Sequence, residues 1–172
     1  MKKTIQLTAA ALFAFALLFI TNSTFAQSKP VASPRDSVSA KINGATISIN
    51  YGSPSVKGRK IYGELVPYGQ VWRAGANEAT VFTTSKDIWV EGKKLAAGTY
   101  GFFAIPTATS WTIIFNKVAK QWGAFKYEES QDALRVTVKP VAAGMNERLV
   151  YKTNAKGFSL NWDKLSVPVT IK

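Results

Sequence analysis

Arg59, Lys60 and Arg73 place three fixed cations near Tyr62, Trp72, Asn77 and Glu78 within residues 52–78. Guanidinium and ammonium groups bind carboxylate and phosphate, and aromatic faces stack on planar or cationic groups. An amide and a carboxylate add directed hydrogen bonds. The same segment carries Lys57, Glu64 and Tyr68, together with five of the chain's twelve glycines. Pro54 and Pro67 interrupt any strand ladder there. Long irregular segments in compact domains tend to carry function. This one has the residue types of a shallow site for a planar or anionic ligand. The competing expectation is a packed loop capping one end of the domain, its aromatics in the core and its cations in water.

Other chemistry is narrowly bounded. The chain has no His and no Cys, which excludes His-dependent triads, Cys/His zinc sites and disulfides. Gly-x-Ser-x-Gly, the phosphate loop and Gly-x-Gly-x-x-Gly are all absent. Glu128, Glu129 and Asp132 cluster in sequence but lack the loop pattern of a calcium site. No metal and no cofactor is therefore expected. Glu64 with Glu78 supplies the carboxylate pair of a glycosidase. Tyr62, Tyr68, Lys60 and Arg73 supply the types needed for elimination from an acidic polysaccharide. Neither set belongs to a motif with a mechanism. The leading expectation is thus a non-enzymatic binding module that uses residues 52–78. A glycan-active enzyme is the alternative, and a structural or protein-interaction module the third reading.

The elements that must position these residues read as strands. Ile47, Ile49 and Tyr51 alternate with polar residues, as do Trp111, Ile113 and Phe115, then Leu134, Val136 and Val138. Phe158, Leu160 and Trp162 repeat the pattern, followed by Val167, Val169 and Ile171 around Pro168, which predicts an edge strand. Residues 79–84, 87–91, 99–105 and 148–152 add strands, with turns at Gly92-Lys93 and over 154–157. A weaker strand lies around Val71-Trp72-Arg73. Only residues 116–121 and 128–132 suit a helical turn. About nine to ten strands with almost no helix predict an all-β fold. The architecture expected is a single antiparallel β-sandwich, jelly-roll or immunoglobulin-like, with a closed barrel as the alternative.

Before this domain, Met1-Lys2-Lys3, the apolar run from Ala9 to Ile20 and Thr24-Phe25-Ala26 follow the pattern of a signal peptide over residues 1–26. The run is too short for a spanning helix. Residues 27–39 read as a flexible leader and 40–172 as the domain, placed in the periplasm or outside the cell. Without Cys it is not a lipoprotein, and no later segment is long and apolar enough to span a membrane. The formal net charge is +12, but the lysines are scattered along strands and turns. Nucleic acid is therefore not expected as a partner. An anionic glycan or other envelope component fits the charge and the location better.

The run Ser53-Pro54-Ser55-Val56-Lys57-Gly58-Arg59-Lys60-Ile61-Tyr62-Gly63 is followed by Leu65-Val66-Pro67-Tyr68-Gly69. Val71-Trp72-Arg73-Ala74-Gly75-Ala76-Asn77-Glu78-Ala79-Thr80 comes next, and Gln121-Trp122-Gly123-Ala124 later. Together they resemble an exported bacterial family known as a domain of unknown function, DUF2911. The resemblance covers nearly all of the chain after the leader. It implies export and the domain's extent, and it brings no activity, cofactor or catalytic residue. Gly52-Ser53 departs from the more polar, often Arg-containing pair of the family, so this chain brings no cation there.

Overall fold

The computed structural model describes residues 32–172. The expected signal peptide, and residues 27–31 of the expected leader, lie outside the described residues. The rest is an all-β, antiparallel sandwich that does not close into a barrel. Its strands are β1 (Arg35–Ile42), β2 (Ala45–Gly52), β3 (Thr80–Thr84), β4 (Ile88–Val90), β5 (Lys93–Leu95), β6 (Gly98–Pro106), β7 (Trp111–Asn116), β8 (Asp132–Val138), β9 (Val141–Asn154) and β10 (Gly157–Thr170). One 3-10 turn, Glu129–Gln131, precedes β8; residues 116–121 form no helix.

One layer is a six-stranded sheet in the order β1-β2-β3-β6-β7-β8. This is a meander, interrupted once where β4 and β5 leave it. The antiparallel sandwich expected from the sequence is what forms, and this meander is one of its layers. The other layer is the long β9-β10 hairpin, to which the β4-β5 hairpin is joined through Val90 and Ile171. Alternation decides which faces meet. Ile47, Ile49, Phe82, Phe102 and Phe115 of the sheet pack with Tyr151, Phe158, Leu160, Trp162 and Val169 of the hairpins in one core. A smaller cluster of Ala79, Phe103 and Ile114 sits beneath Val71, Ala124 and Tyr127.

Residues 35–39, expected in the leader, are the first half of β1, which pairs with β2 along its whole length. β1 is an edge strand, exposed over most of its length, and its alternation is weak: Val38, Ala40 and Ile42 turn toward the core between exposed Ser37, Ser39 and Lys41. Residues 158–162 and 167–171, read as two strands, belong to the single strand β10, which ends one residue earlier at Thr170. A corner at Asp163, with φ 53° and register shifts on either side, separates them. Ile171 N donates to Lys156 O at 2.8 Å, so the second half lies back beside the first. Pro168 falls beyond the last residue of β10 paired with β9, where its missing N–H breaks no β9–β10 ladder bond.

The aromatic core makes stability sensitive to alkali. Burial, with Asp36 adding to it, pushes the Tyr51 phenol up to about 12. Burial also raises Tyr151 and Tyr62. The unfolded chain releases these protons near the ordinary value of about 10. Above that pH the folded state binds more protons than the unfolded one. Stability is therefore intact below about pH 10 and falls by about 1.4 kcal/mol per pH unit for each such buried tyrosine. Urea midpoints should drop steeply between about pH 9.5 and about pH 11.5, with phenolate absorbance appearing together with unfolding. Equal midpoints across that range would show that the buried tyrosines ionise without unfolding.

Candidate functional site

Residues 53–77 fold back over the open end between the sheet and β10, and local bonding fixes their path. Ser53 Oγ donates to Leu149 O at 2.8 Å and Leu149 N donates to Pro54 O at 2.9 Å. Val56 N donates to Glu147 O at 2.8 Å, so the loop is stitched to β9. Beyond the end of β3, Trp72 takes the place beside β6 that a strand would occupy: Trp72 N and Ala104 N donate to each other's carbonyls at 2.8 and 2.9 Å. The weak strand expected at 71–73 is this single bridge. Ala74 follows in left-handed backbone, φ 51°. Its carbonyl is held by Thr80 Oγ1 at 3.0 Å and by the Tyr151 hydroxyl at 2.8 Å. A β-carbon disfavours that conformation, and the two buried hydroxyls hold it.

These constraints leave a cleft of about 220 Å³. Its lining includes Arg59, Arg73, Asn77, Trp72 and Trp162, with Ser33, Pro54, Leu65, Val66, Gly75 and Ala76. Trp72 and Trp162 stack with centroids 5.9 Å apart and planes at 18°, and the Trp72 indole donates to Gly75 O at 3.2 Å. Arg59 is aimed by two backbone carbonyls: Nε donates to Val56 O at 3.0 Å and Nη2 to Ser55 O at 2.5 Å. Arg73 is half-buried, and burial pushes its pKa down, but a guanidinium stays charged. Its Nε is buried and meets no acceptor. Among the described residues neither arginine has a carboxylate within 4.0 Å.

The seven residues expected at the site divide. Arg59, Trp72, Arg73 and Asn77 line the cleft. Lys60 points away and pairs with Glu64 at 3.0 Å, both exposed. Tyr62 is no stacking surface: it is buried among Trp111 and Trp162, and its hydroxyl donates to Trp162 O at 3.4 Å. Glu78 faces a neighbouring hollow and pairs with Arg35 at 3.6 Å. The acids near residue 130 hold a cation of the chain itself, since Arg135 lies 2.5 Å from Glu129 and 3.0 Å from Asp132. Sequence reasoning missed Ser33, whose carbonyl accepts from Asn77 Nδ2 at 3.3 Å, and Trp162. Ser33 lay in the expected leader, and Trp162 read only as strand core.

Fold and site together define an open antiparallel β-sandwich with an arginine-lined cleft between residues 54–77 and β10. The chain belongs to a family described as a protein of unknown function, DUF2911, whose model matches residues 33–171. No curated protein and no solved structure matches it.

Proposed function

We propose that the chain is exported through its N-terminal segment and serves in the cell envelope as a non-enzymatic binding module. The cleft takes a single acidic group, such as the carboxylate or phosphate on one residue of an anionic glycan. The observation that carries this reading is Arg73: half-buried, without an acid partner, and with a buried Nε that meets no acceptor. A buried donor left unpaired is costly, and an anion from outside removes that cost. Arg59 adds a second guanidinium, and Trp72 and Trp162 form an apolar wall. At about 220 Å³ the cleft lies below the usual range of small-molecule sites, so it suits one residue or an end group rather than a length of polymer.

Binding is favoured over catalysis by where the reactive groups sit. The Tyr62 hydroxyl is buried, and burial holds its proton on, which unsuits it as a base. Lys60 and Glu64 neutralise each other outside the cleft, and Glu78 pairs with Arg35. Among the described residues no acid lines the cleft. The test is calorimetry of the purified chain from residue 27 onward with glucuronate, glucose 6-phosphate and glucose. The two anions are expected to bind and glucose not. Arg73→Gln keeps a polar, hydrogen-bonding side chain while removing the charge, and is expected to weaken anion binding by about tenfold to a hundredfold. Equal binding of glucose, or unchanged binding in Arg73→Gln, overturns the assignment.

A further inference from the structure

The loop between β7 and β8 exposes apolar side chains that a free surface would normally cover. Trp122 is 60% and Phe125 86% exposed, with Val118 beside them in sequence at 40%. The stretch 117–126 also carries Lys117, Lys120 and Lys126, all exposed, and contains no acid. None of the three lysines has a carboxylate within 4.0 Å among the described residues. The nearby acids are largely engaged: Glu129 and Asp132 by Arg135, and Glu78 by Arg35; of these neighbours Glu128 is in no ion pair among the described residues.

The loop is not loosely collapsed. Asn116, fully buried, donates through Nδ2 to Glu128 O at 3.0 Å and to Asp132 Oδ1 at 2.8 Å. Its Oδ1 accepts from Val118 N at 2.9 Å. The Tyr127 hydroxyl donates to Asp132 Oδ2 at 2.6 Å. Gly123 N donates to Asn77 O at 3.0 Å, and Ala79 N to Gln121 O at 2.9 Å. Ala124 and Tyr127 pack inward on the smaller cluster. The backbone is thus pinned at both ends and in the middle while Trp122 and Phe125 are held outward. An indole and a phenyl ring projecting from a braced loop among unpaired lysines match what an anionic bilayer surface recognises. The rings enter the headgroup boundary and the ammonium groups meet lipid phosphates.

We infer that residues 117–126 form a docking loop for a membrane surface rich in anionic phospholipid, with Trp122 and Phe125 as the inserting groups. The inference is independent of the cleft and concerns a different face of chemistry. It is tested by sedimenting the chain from residue 27 onward with vesicles, so that the apolar N-terminal segment does not itself bind lipid. Vesicles of phosphatidylcholine alone are compared with vesicles that also contain phosphatidylglycerol. Binding is expected only to the latter, and to weaken with added salt. Lys120→Glu with Lys126→Glu should reduce partitioning by at least about fivefold for each lysine. Trp122→Ala with Phe125→Ala should reduce it by about tenfold or more. Both variants should melt with the parent, since these side chains are exposed. Arg73→Gln should bind vesicles normally. The inference fails if the parent does not bind, if phosphatidylcholine binds it equally, if the loop variants bind as the parent does, or if Arg73→Gln loses binding to the same extent.

Discussion

Gly157→Ala is expected to destabilise the chain by about 3 kcal/mol or more, the upper end of what a forced contact costs. Gly157 has φ 151°, a conformation L side chains rarely adopt, and a β-carbon there would lie 2.0 Å from Val169 O. Ile171 N and Thr170 Cα stand at 3.1 Å. All three are backbone atoms, so no rotamer change relieves the clash. The second half of β10 would have to move away, and the bond from Ile171 N to Lys156 O would go with it. The gain from a stiffer unfolded chain, about 0.4–1 kcal/mol for Gly to Ala, does not offset this. Gly144→Ala is the control: nothing lies within 4 Å of its built β-carbon. That change should stay within about 0.5 kcal/mol. Urea unfolding of both variants measures the difference; a loss below about 1 kcal/mol for Gly157→Ala would mean that β10 does not fold back as described.

Trp162→Ala should cost about 3–5 kcal/mol and abolish anion binding together. Trp162 is 1% exposed. It stacks on Trp72, meets Tyr62 edge-on at 6.3 Å, and its carbonyl accepts from the Tyr62 hydroxyl. Truncation opens a void under the cleft wall and frees Trp72 to tilt into it. Trp162→Phe separates the two effects. The indole N–H is buried and makes no hydrogen bond, so phenylalanine loses volume and no bonded partner. It should keep most of the stability while weakening the anion less than alanine does. Calorimetric binding together with a urea midpoint checks both. Intact binding in a folded Trp162→Ala protein would remove Trp162 from the site.

The sandwich was legible where a strand buries one face, although β6 and β7 bury both over much of their length. Ile47, Ile49 and Tyr51, or Phe158, Leu160 and Trp162, show in sequence the alternation they show in the structure. β1 was missed although Val38, Ala40 and Ile42 carry a weak alternation, because Pro34 and the small polar residues before it read as leader. The corner in β10 read as a break between two strands because period-two reasoning follows faces and not paths. At the site, Arg59, Arg73, Trp72 and Asn77 were found by local density. Tyr62 and Lys60 were drawn in by the same density, yet one residue faces the core and its neighbour but one faces water. Trp162 was beyond reach as a site residue: it is brought to Trp72 by the sandwich, across most of the domain's sequence.

Asn43, in the first turn of the described chain, donates through Nδ2 to Ile171 O at 2.9 Å. Val167, Val169 and Ile171 fill the same core as Ile42 and Ile47. The earliest hairpin and the final residues of the core therefore complete each other. A nascent chain cannot close this core until residues 158–171 have left the ribosome, and such long-range closure makes folding slow. Until then its strands lack their final partners, and under the export proposed above that delay would keep the chain in the unfolded state that membrane passage needs.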